Sequence, residues 1–157
     1  MDERKVWLNG RMVGWEDARA HVFSHAMARG SAIFEVMSCH LTDRGPAIFR
    51  LKDYLKRLEG SAKLIGMTLP FSRNEIAFGI KATVRENDLG NAMIKLMAYW
   101  SKVEFEVLPG DSVVNVAICA IDPVKDIIFQ SRSRKFSFLL KAKIVSIPKL
   151  HPATVPV

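Results

Sequence analysis

The sequence predicts an α+β domain in which a largely antiparallel sheet packs against two helices. Three observations favour this class: a hairpin dipeptide near the N-terminus, two segments with apolar side chains at three- and four-residue steps, and several apolar runs rich in strand-forming residues. Strands and helices in this order are typical of the α+β class. We expect the domain to occupy residues 1–121.

A β-hairpin is predicted at the start of the domain. Residues 5–8 and 11–13 flank Asn9 and Gly10. An Asn-Gly pair is the strongest two-residue hairpin signal, because both positions tolerate a positive φ angle. The first two strands are therefore expected to be antiparallel neighbours.

Four further strands are predicted along the chain. Residues 32–41 form a long apolar run, and the turn-forming sequence at 43–46 leads into a short strand at 47–49. Two more strand-like runs, at residues 92–100 and 112–121, are joined by a loop that contains a Leu-Pro-Gly-Asp sequence. These runs supply the rest of the predicted sheet.

Two amphipathic helices are predicted between these strands. In the first, apolar side chains recur on one face, at Leu51, Tyr54, Leu55, Leu58, Ala62 and Ile65. The opposite face carries Lys52, Lys56, Glu59 and Lys63. The second helix begins at a capping box, in which the Ser72 and Glu75 side chains accept hydrogen bonds from backbone N–H groups, and is expected to end near Glu86.

The C-terminal part of the chain is predicted to leave the first domain. Residues 122–135 lack a clear period and are expected to form an interdomain linker. Residues 136–157 open with apolar strand-forming runs that no later element covers. We therefore interpret them as the start of a second, truncated domain.

Charge and hydropathy argue against nucleic-acid and membrane functions. Lys and Arg outnumber Asp and Glu by 23 to 16, which gives a net charge of +7. The densest basic cluster, at residues 132–135, is short, has no interleaved aromatics and is better explained as a solvated linker. The sequence shows neither a signal peptide nor a run of 18 apolar residues.

Cysteine and histidine usage argues against a metal site and against a disulfide framework. Cys39 and Cys119 lie in apolar runs and are expected to be reduced thiols of a cytoplasmic protein. The four histidines are too scattered to suggest zinc binding; they are His21, His25, His40 and His151. For His25, a local hydrogen bond that orients the following turn is a sufficient explanation.

Two segments carry a family resemblance. Residues 24–36 read SHAMARGSAIFEV, and residues 49–58 read FRLKDYLKRL. In this order and spacing they resemble the small N-terminal domain of fold-type IV pyridoxal-phosphate aminotransferases, and within that superfamily they favour branched-chain amino acid aminotransferases. The resemblance implies a pyridoxal 5'-phosphate cofactor, amino acid and 2-oxo acid substrates, and a homodimer or larger homo-oligomer.

Arg57 is the strongest candidate binding residue. On a helical wheel it lies at the edge of the apolar face, about 60° from Tyr54. Its guanidinium either points into a cleft, where a charged fork suits a phosphate, or extends to water over an apolar stem. In the family an Arg-Leu pair binds the cofactor phosphate, and Arg57-Leu58 matches that pair.

The region around the first long strand holds three residues with different expected roles: Phe34, Glu35 and Arg29. Phe34 either packs in the core or forms an aromatic wall for an aliphatic substrate, and the resemblance implies the wall. Glu35 points to the other face of the strand, where a solvated or sheet-edge role is expected. Arg29 stands where branched-chain enzymes commonly have tyrosine, and it either recognises a second carboxylate or turns outward.

Lys95 and Tyr99 share one face of a predicted strand. Lys95 aligns with an arginine that, in branched-chain enzymes, meets the side-chain carboxylate of glutamate. Lysine keeps the charge but lacks the bidentate fork, and an outward polar position is the alternative. Tyr99 either offers its hydroxyl to the substrate or packs in the core. Met93 replaces a tyrosine that helps bind the substrate carboxylate in the family.

The resemblance implies amino transfer between a branched-chain or similar hydrophobic amino acid and 2-oxoglutarate. In the family the Schiff-base lysine follows a Thr-Ile-Pro-like segment, which residues 154–156 resemble, and the sequence stops at Val157. We therefore expect that lysine to lie beyond the chain and these 157 residues to be inactive alone. The alternatives are a D-amino acid aminotransferase, an aminodeoxychorismate lyase-like enzyme and a non-catalytic small-domain module.

Overall fold

The computed structural model describes residues 3–109 and 113–127. The strands within these residues are β1 Lys5–Leu8, β2 Arg11–Gly14, β3 Ala32–Thr42, β4 Gly45–Ile48, β5 Ala92–Trp100 and β6 Val114–Ile121. The helices are α1 His25–Arg29, α2 Leu51–Leu64 and α3 Arg73–Glu86. The strands form one sheet in the order β2-β1-β6-β5-β3-β4, and all neighbours are antiparallel. The predicted α+β class is confirmed.

The hairpin turn at Asn9 and Gly10 confirms the prediction and also attaches β1 to β6. Asn9 has a φ of 49° and Gly10 a φ of 88°, so both adopt the positive angles that this turn requires. The Asn9 backbone N–H donates to the Val116 carbonyl over 3.0 Å. The Val116 N–H in turn donates to Asn9 Oδ1 over 2.8 Å. Asn9 therefore forms the β1–β2 turn and is also hydrogen-bonded to β6.

The helices α2 and α3 cover one face of the sheet, α2 against β3 and α3 against β1 and β6. The strands contribute to this core the buried side chains of Trp7, Met37, Ile94, Leu96, Val116 and Ile118. The helices contribute Leu55, Leu58, Ile76 and Ile80. Because side chains alternate along a strand, every second residue of β3, β5 and β6 enters this layer.

The other face of the sheet, which we call the open face, carries the intervening residues. Its side chains include Phe34, Val36, Met93, Lys95, Met97 and Cys119. Phe34 retains 60% of its accessible surface and Val36 retains 39%. The open face is therefore both apolar and accessible, which is unusual for a sheet whose other side is a packed core.

The predicted start of α3 is confirmed, whereas the predicted place of Ile65 on the apolar face of the first helix is wrong. Ser72 Oγ accepts from the Glu75 N–H, and the Ser72 N–H donates to Glu75 Oε2 over 2.7 Å. Ile65, expected on the buried face of the first helix, is 43% exposed because α2 ends at Leu64. Gly66 follows with a φ of 70°, which turns the chain so that Met67 fills the buried position instead.

The remaining predictions concern strand ends, the C-terminal segments and absent features. Two strands differ slightly, since β4 begins two residues before the predicted run and β6 two residues after it. The predicted linker opens with a π-helical turn at Pro123–Ile127, and the rest of it, like the predicted strands of 136–157, lies outside the described residues. Among the described residues, no helix is long and apolar enough to cross a membrane. The same residues hold no cluster of three His, Cys, Asp or Glu side chains suited to a metal ion.

Candidate active site

Arg57 projects from α2 at the edge of the helix layer and forms a bidentate ion pair with Glu35 of β3. Its Nε donates to both carboxylate oxygens over 2.9 Å, and its Nη2 donates to Oε2. The Arg57 side chain is 65% exposed, whereas that of Glu35 is 2% exposed. The hydrogen bond and the charge of Glu35 raise the pKa of Arg57 above its ordinary value. Arg57 is thus a fixed, permanently charged group at the protein surface.

The predicted role of Glu35 at a solvated or sheet-edge position is wrong. Glu35 lies on the helix-covered face with Met37 and Cys39, which are also buried. The alternation of Phe34 and Glu35 was predicted, but it does not say which of the two faces the helices. A carboxylate tolerates this burial because Arg57 supplies an opposite charge and several hydrogen bonds.

A surface cleft of about 290 Å³ surrounds the Arg57 guanidinium. It is lined by Phe49, Arg50, Asp53, Tyr54 and Arg57, so it lies at the N-terminal end of α2. The guanidinium carbon of Arg57 is 5.1 Å from the centroid of the Tyr54 ring. Arg50 Nε donates to Asp53 Oδ2 over 2.7 Å.

Arg50 and Asp53 were not among the predicted site residues. Arg50 has a φ of 48°, an angle that non-glycine residues adopt rarely and at a cost in energy. Arg50 is the N-cap residue of α2, but its side chain accepts no hydrogen bond from the backbone N–H groups of the first turn. The signal available in the sequence was the Arg-x-x-Asp spacing at the start of a helix, since residues three apart are neighbours there.

Phe34 and Lys95 meet on the open face. The Nζ atom of Lys95 lies 5.1 Å from the centroid of the Phe34 ring. Strand register places Lys95 between Val36 and Cys119, and Phe34 opposite Met97. A second cavity of about 280 Å³ adjoins the lysine, lined by Val6, Trp15, Ala18, Lys95, Met97, Ala117 and Cys119. The predicted aromatic wall and the predicted cation are therefore neighbours, and the cation also lines an apolar cavity.

The Cys119 thiol in this cavity is a weak acid. Burial raises its pKa above the ordinary value, and the backbone and charge of Lys95 oppose that shift. Burial also raises the pKa of the Cys39 thiol in the core. Both cysteines are free. At neutral pH the two side chains therefore behave as small apolar groups.

Arg29 holds the loop that follows β5 and contacts its backbone. Its Nη1 donates to the Glu104 carbonyl over 3.3 Å, and its Nη2 donates to the Phe105 carbonyl over 2.8 Å. Nearby, the buried His25 ring contacts Ser31 Oγ through Nδ1 over 2.7 Å. This bond to the turn after α1 agrees with the local role expected for His25.

Tyr99 belongs to the open-face set of β5 but is only 8% exposed. Register places it between Ala32 and Asn115. The structure thus divides the predicted site residues among several places. Arg57 lies on the helix side of the sheet, Phe34 and Lys95 meet on the open face, and Arg29 contacts the loop after β5.

The chain belongs to the class IV aminotransferase family, whose model matches residues 32–135. It is 34% identical over 118 residues to a branched-chain-amino-acid aminotransferase of Salmonella typhimurium, covering 75% of this chain and 38% of that protein. With the corresponding enzyme of Pseudomonas aeruginosa the identity is 36% over 115 residues, covering 73% and 38%.

Solved structures show the same relationship. The branched-chain amino acid aminotransferase of Escherichia coli superposes with a TM-score of 0.73 at 33% identity, covering 76% of this chain and 40% of that one. The branched-chain aminotransferase of Thermoproteus uzoniensis, solved with norvaline, gives a TM-score of 0.72 at 34% identity, covering 75% and 40%. The fold is therefore that of the N-terminal domain of these enzymes. The chain spans about two fifths of the length of the relatives it matches.

Proposed function

We propose that this chain is part of a pyridoxal-phosphate-dependent transaminase that moves an amino group between a branched-chain or similar hydrophobic amino acid and 2-oxoglutarate. The branched-chain aminotransferases among its relatives support the reaction class, and one solved relative that contains pyridoxamine 5'-phosphate supports the cofactor. The observation that carries the proposal is the exposed Arg57 guanidinium, which a buried carboxylate holds at a cleft. When bound, the cofactor supplies the electron sink for this chemistry.

The residues of the Arg57 cleft fit a phosphate group. The ion pair with Glu35 uses Nε and Nη2 of Arg57 and leaves Nη1, with two N–H groups, outside the fork. Arg50 adds a second guanidinium to the lining, and this guanidinium is paired with the Asp53 carboxylate, which lines the cleft too. The cleft also lies at the first turn of a 14-residue helix, where partial positive charge and backbone N–H groups favour anions. We propose Arg57 as the residue that binds the cofactor phosphate.

Phe34 and Lys95 form the proposed substrate side. The ring offers apolar contact to a branched aliphatic side chain, whereas the ammonium group offers an ion pair to the side-chain carboxylate of glutamate. The adjoining cavity is mainly apolar, so one surface accommodates both kinds of substrate. Tyr99 and Arg29 complete this side, Tyr99 within β5 and Arg29 through the backbone of residues 104–105 that it holds.

We further propose that residues 1–121 are the small domain, that 122–135 link it to a cofactor-binding domain beginning at 136–157, and that the assembly is a homo-oligomer. Exposed apolar side chains in the loop after β5 support association, since Phe105, Val107 and Leu108 retain 83%, 80% and 78% of their accessible surface. Under this proposal the Schiff-base lysine belongs to the cofactor-binding domain.

Half-reactions of the full-length protein test the function. The protein is loaded with pyridoxal phosphate, and the cofactor absorption is followed after addition of leucine, valine or glutamate. We expect these amino acids to convert the cofactor spectrum and 2-oxoglutarate to restore it. A response restricted to D-alanine, or lyase activity on aminodeoxychorismate, would replace the proposal by one of the two related alternatives.

A further inference from the structure

We propose that Glu35 is a positioning residue for the phosphate site, which it serves by fixing the orientation of Arg57. This inference rests on the proposed function, since it takes Arg57 as the phosphate-binding group. Glu35 does not itself face the cleft lining, which consists of residues from position 49 to position 57. Its effect on a phosphate is therefore transmitted through the Arg57 guanidinium.

The contact geometry restricts Arg57 strongly. An exposed arginine side chain samples many rotamers, and binding an anion with it requires that this freedom be lost. Here the two carboxylate oxygens accept three hydrogen bonds from Nε and Nη2, and the Tyr54 ring lies 5.1 Å from the guanidinium carbon. Since the guanidinium is planar, fixing Nε and Nη2 also fixes Nη1. The ordering is thus complete before a ligand arrives.

Burial makes the carboxylate a rigid support. Glu35 is 2% exposed, and its strand pairs with β5 through Leu96 at the centre of the sheet. The Arg73–Glu59 pair has the same fork, with Nε on Oε1 and Nη2 on Oε2, but its side chains are 48% and 40% exposed. Both pairs join an arginine to a glutamate, and only one of the carboxylates is held inside the fold. The second pair is therefore a matched control.

The direction in which Glu35→Gln changes phosphate affinity distinguishes a positioning role of Glu35 from a purely electrostatic effect of its charge. A carboxylate near a phosphate lowers the local positive potential, so replacing it with an amide would strengthen phosphate binding if charge alone mattered. If Glu35 positions Arg57, the same substitution weakens phosphate binding, because Glu35→Gln weakens the bidentate hydrogen bonds and releases the Arg57 side chain. We expect the loss of orientation to prevail, since the exposed guanidinium is screened by water whereas the fork is buried on the carboxylate side.

The experiment compares pyridoxal phosphate with pyridoxal, which lacks the phosphate, as ligands of the full-length cofactor-free protein. Dissociation constants are measured for the wild type, Glu35→Gln, Arg57→Ala, the double variant and the control Glu59→Gln. We expect Glu35→Gln to weaken pyridoxal phosphate binding about tenfold, as lost charge-assisted hydrogen bonds do, and to leave pyridoxal unchanged. Glu59→Gln should change neither. In the Arg57→Ala background, Glu35→Gln should have no further effect on phosphate preference.

The outcomes distinguish this inference from the function on which it rests. If Arg57→Ala leaves the preference for pyridoxal phosphate over pyridoxal unchanged, the proposed phosphate site is wrong. If Arg57→Ala removes the preference while Glu35→Gln preserves or increases it, the positioning role of Glu35 is wrong and the phosphate site stands. If Glu35→Gln does not fold, Glu35→Asp is used instead. This variant keeps the negative charge but, being one methylene shorter, moves the carboxylate away from Arg57. Unchanged preference in that variant would equally overturn the positioning role.

Discussion

Lys95 and Phe34 contact one another across two neighbouring strands, with Nζ 5.1 Å from the ring centroid on the open face of the sheet. The two residues are diagonal neighbours across the β3–β5 pair, since Lys95 is opposite Val36 and Phe34 is opposite Met97. An ammonium group over an aromatic ring keeps its charge while remaining beside an apolar surface. Under the proposed function, this contact offers each of the two kinds of substrate side chain a binding partner.

Lys95→Met in the full-length protein tests the proposed dual-substrate surface. We expect kcat/KM for glutamate to fall about tenfold or more, because a charged hydrogen bond to its side chain is lost. The value for leucine should change little, since Phe34 and the apolar cavity remain. Single-turnover half-reactions with each amino acid measure both constants, and Lys95→Arg is the charge-preserving control. Equal losses for both substrates would identify Lys95 as structural.

Gly79→Ala is expected to destabilise the domain. A Cβ atom at this position would lie 2.7 Å from Cε2 and 2.9 Å from Cδ2 of Trp7. These atoms belong to a rigid, buried indole, so relief requires that α3 move away from β1. Overpacking of this kind costs about 1–3 kcal/mol, which exceeds the gain of up to about 1 kcal/mol in helix propensity.

Urea unfolding measures this change, and Gly60→Ala is its matched control. Gly60 also lies within a 14-residue helix, but an added Cβ would meet no atom within 4 Å. The control should therefore raise the free energy of unfolding by about 0.5–1 kcal/mol. Stabilisation by both substitutions would show that Trp7 yields, and the close packing of α3 on β1 would then be an incorrect description.

The capping box of α3 should make stability depend on pH. Hydrogen bonds from Ser72 lower the pKa of Glu75 below its ordinary value. A lowered folded-state pKa contributes stability above the unfolded-state pKa, and this contribution disappears as the pH falls through the folded-state value. Glu75→Gln should therefore be less stable than the wild type at pH 7, and the difference should vanish in acid.

Denaturant titrations between pH 7 and pH 3 check this dependence, with Ser72→Ala as a companion variant. Loss of the serine cap should lower the free energy of unfolding by about 1 kcal/mol at pH 7. A Glu75→Gln difference that stays constant across the range would mean that the carboxylate charge contributes nothing to the cap.

In the full-length protein, no lysine of residues 1–121 is expected to form a specific Schiff base with pyridoxal phosphate. Under the proposed function, the reactive lysine belongs to the cofactor-binding domain and not to the small domain. Borohydride reduction followed by peptide mapping provides the measurement. Stoichiometric labelling of one lysine within residues 1–121 would contradict the proposed location of the catalytic lysine in the cofactor-binding domain.

The elements of this fold follow from local signals. The Asn9-Gly10 pair predicts its hairpin because few residues tolerate two consecutive positive φ angles, and both angles are observed. The Ser72 and Glu75 spacing predicts the start of α3 because the two side chains satisfy backbone N–H groups within one turn. Ile65 was wrongly assigned to the apolar face of α2 because it continues the apolar period, whereas the helix ends at Leu64 and Gly66 follows with a positive φ angle.

The placement of the candidate site needed the tertiary structure. Sequence alternation separates Phe34 from Glu35, but it does not tell which face α2 will cover. The Arg57–Glu35 pair joins residues 22 positions apart, so no local pattern indicates it. Arg29 contacts two backbone carbonyls more than 70 positions away, an interaction that side-chain periodicity does not encode.

By itself, then, the sequence determined the α+β class, the turn and cap positions, and the residues that carry the family resemblance, since backbone preferences and hydrogen bonds act over a few residues. Only the tertiary structure decided that Glu35 is buried, that Arg57 is held by it, and that Lys95 meets Phe34. These pairings depend on strand register and on the face to which the helices dock. Register and docking are set by the burial of the whole apolar layer rather than by any single segment.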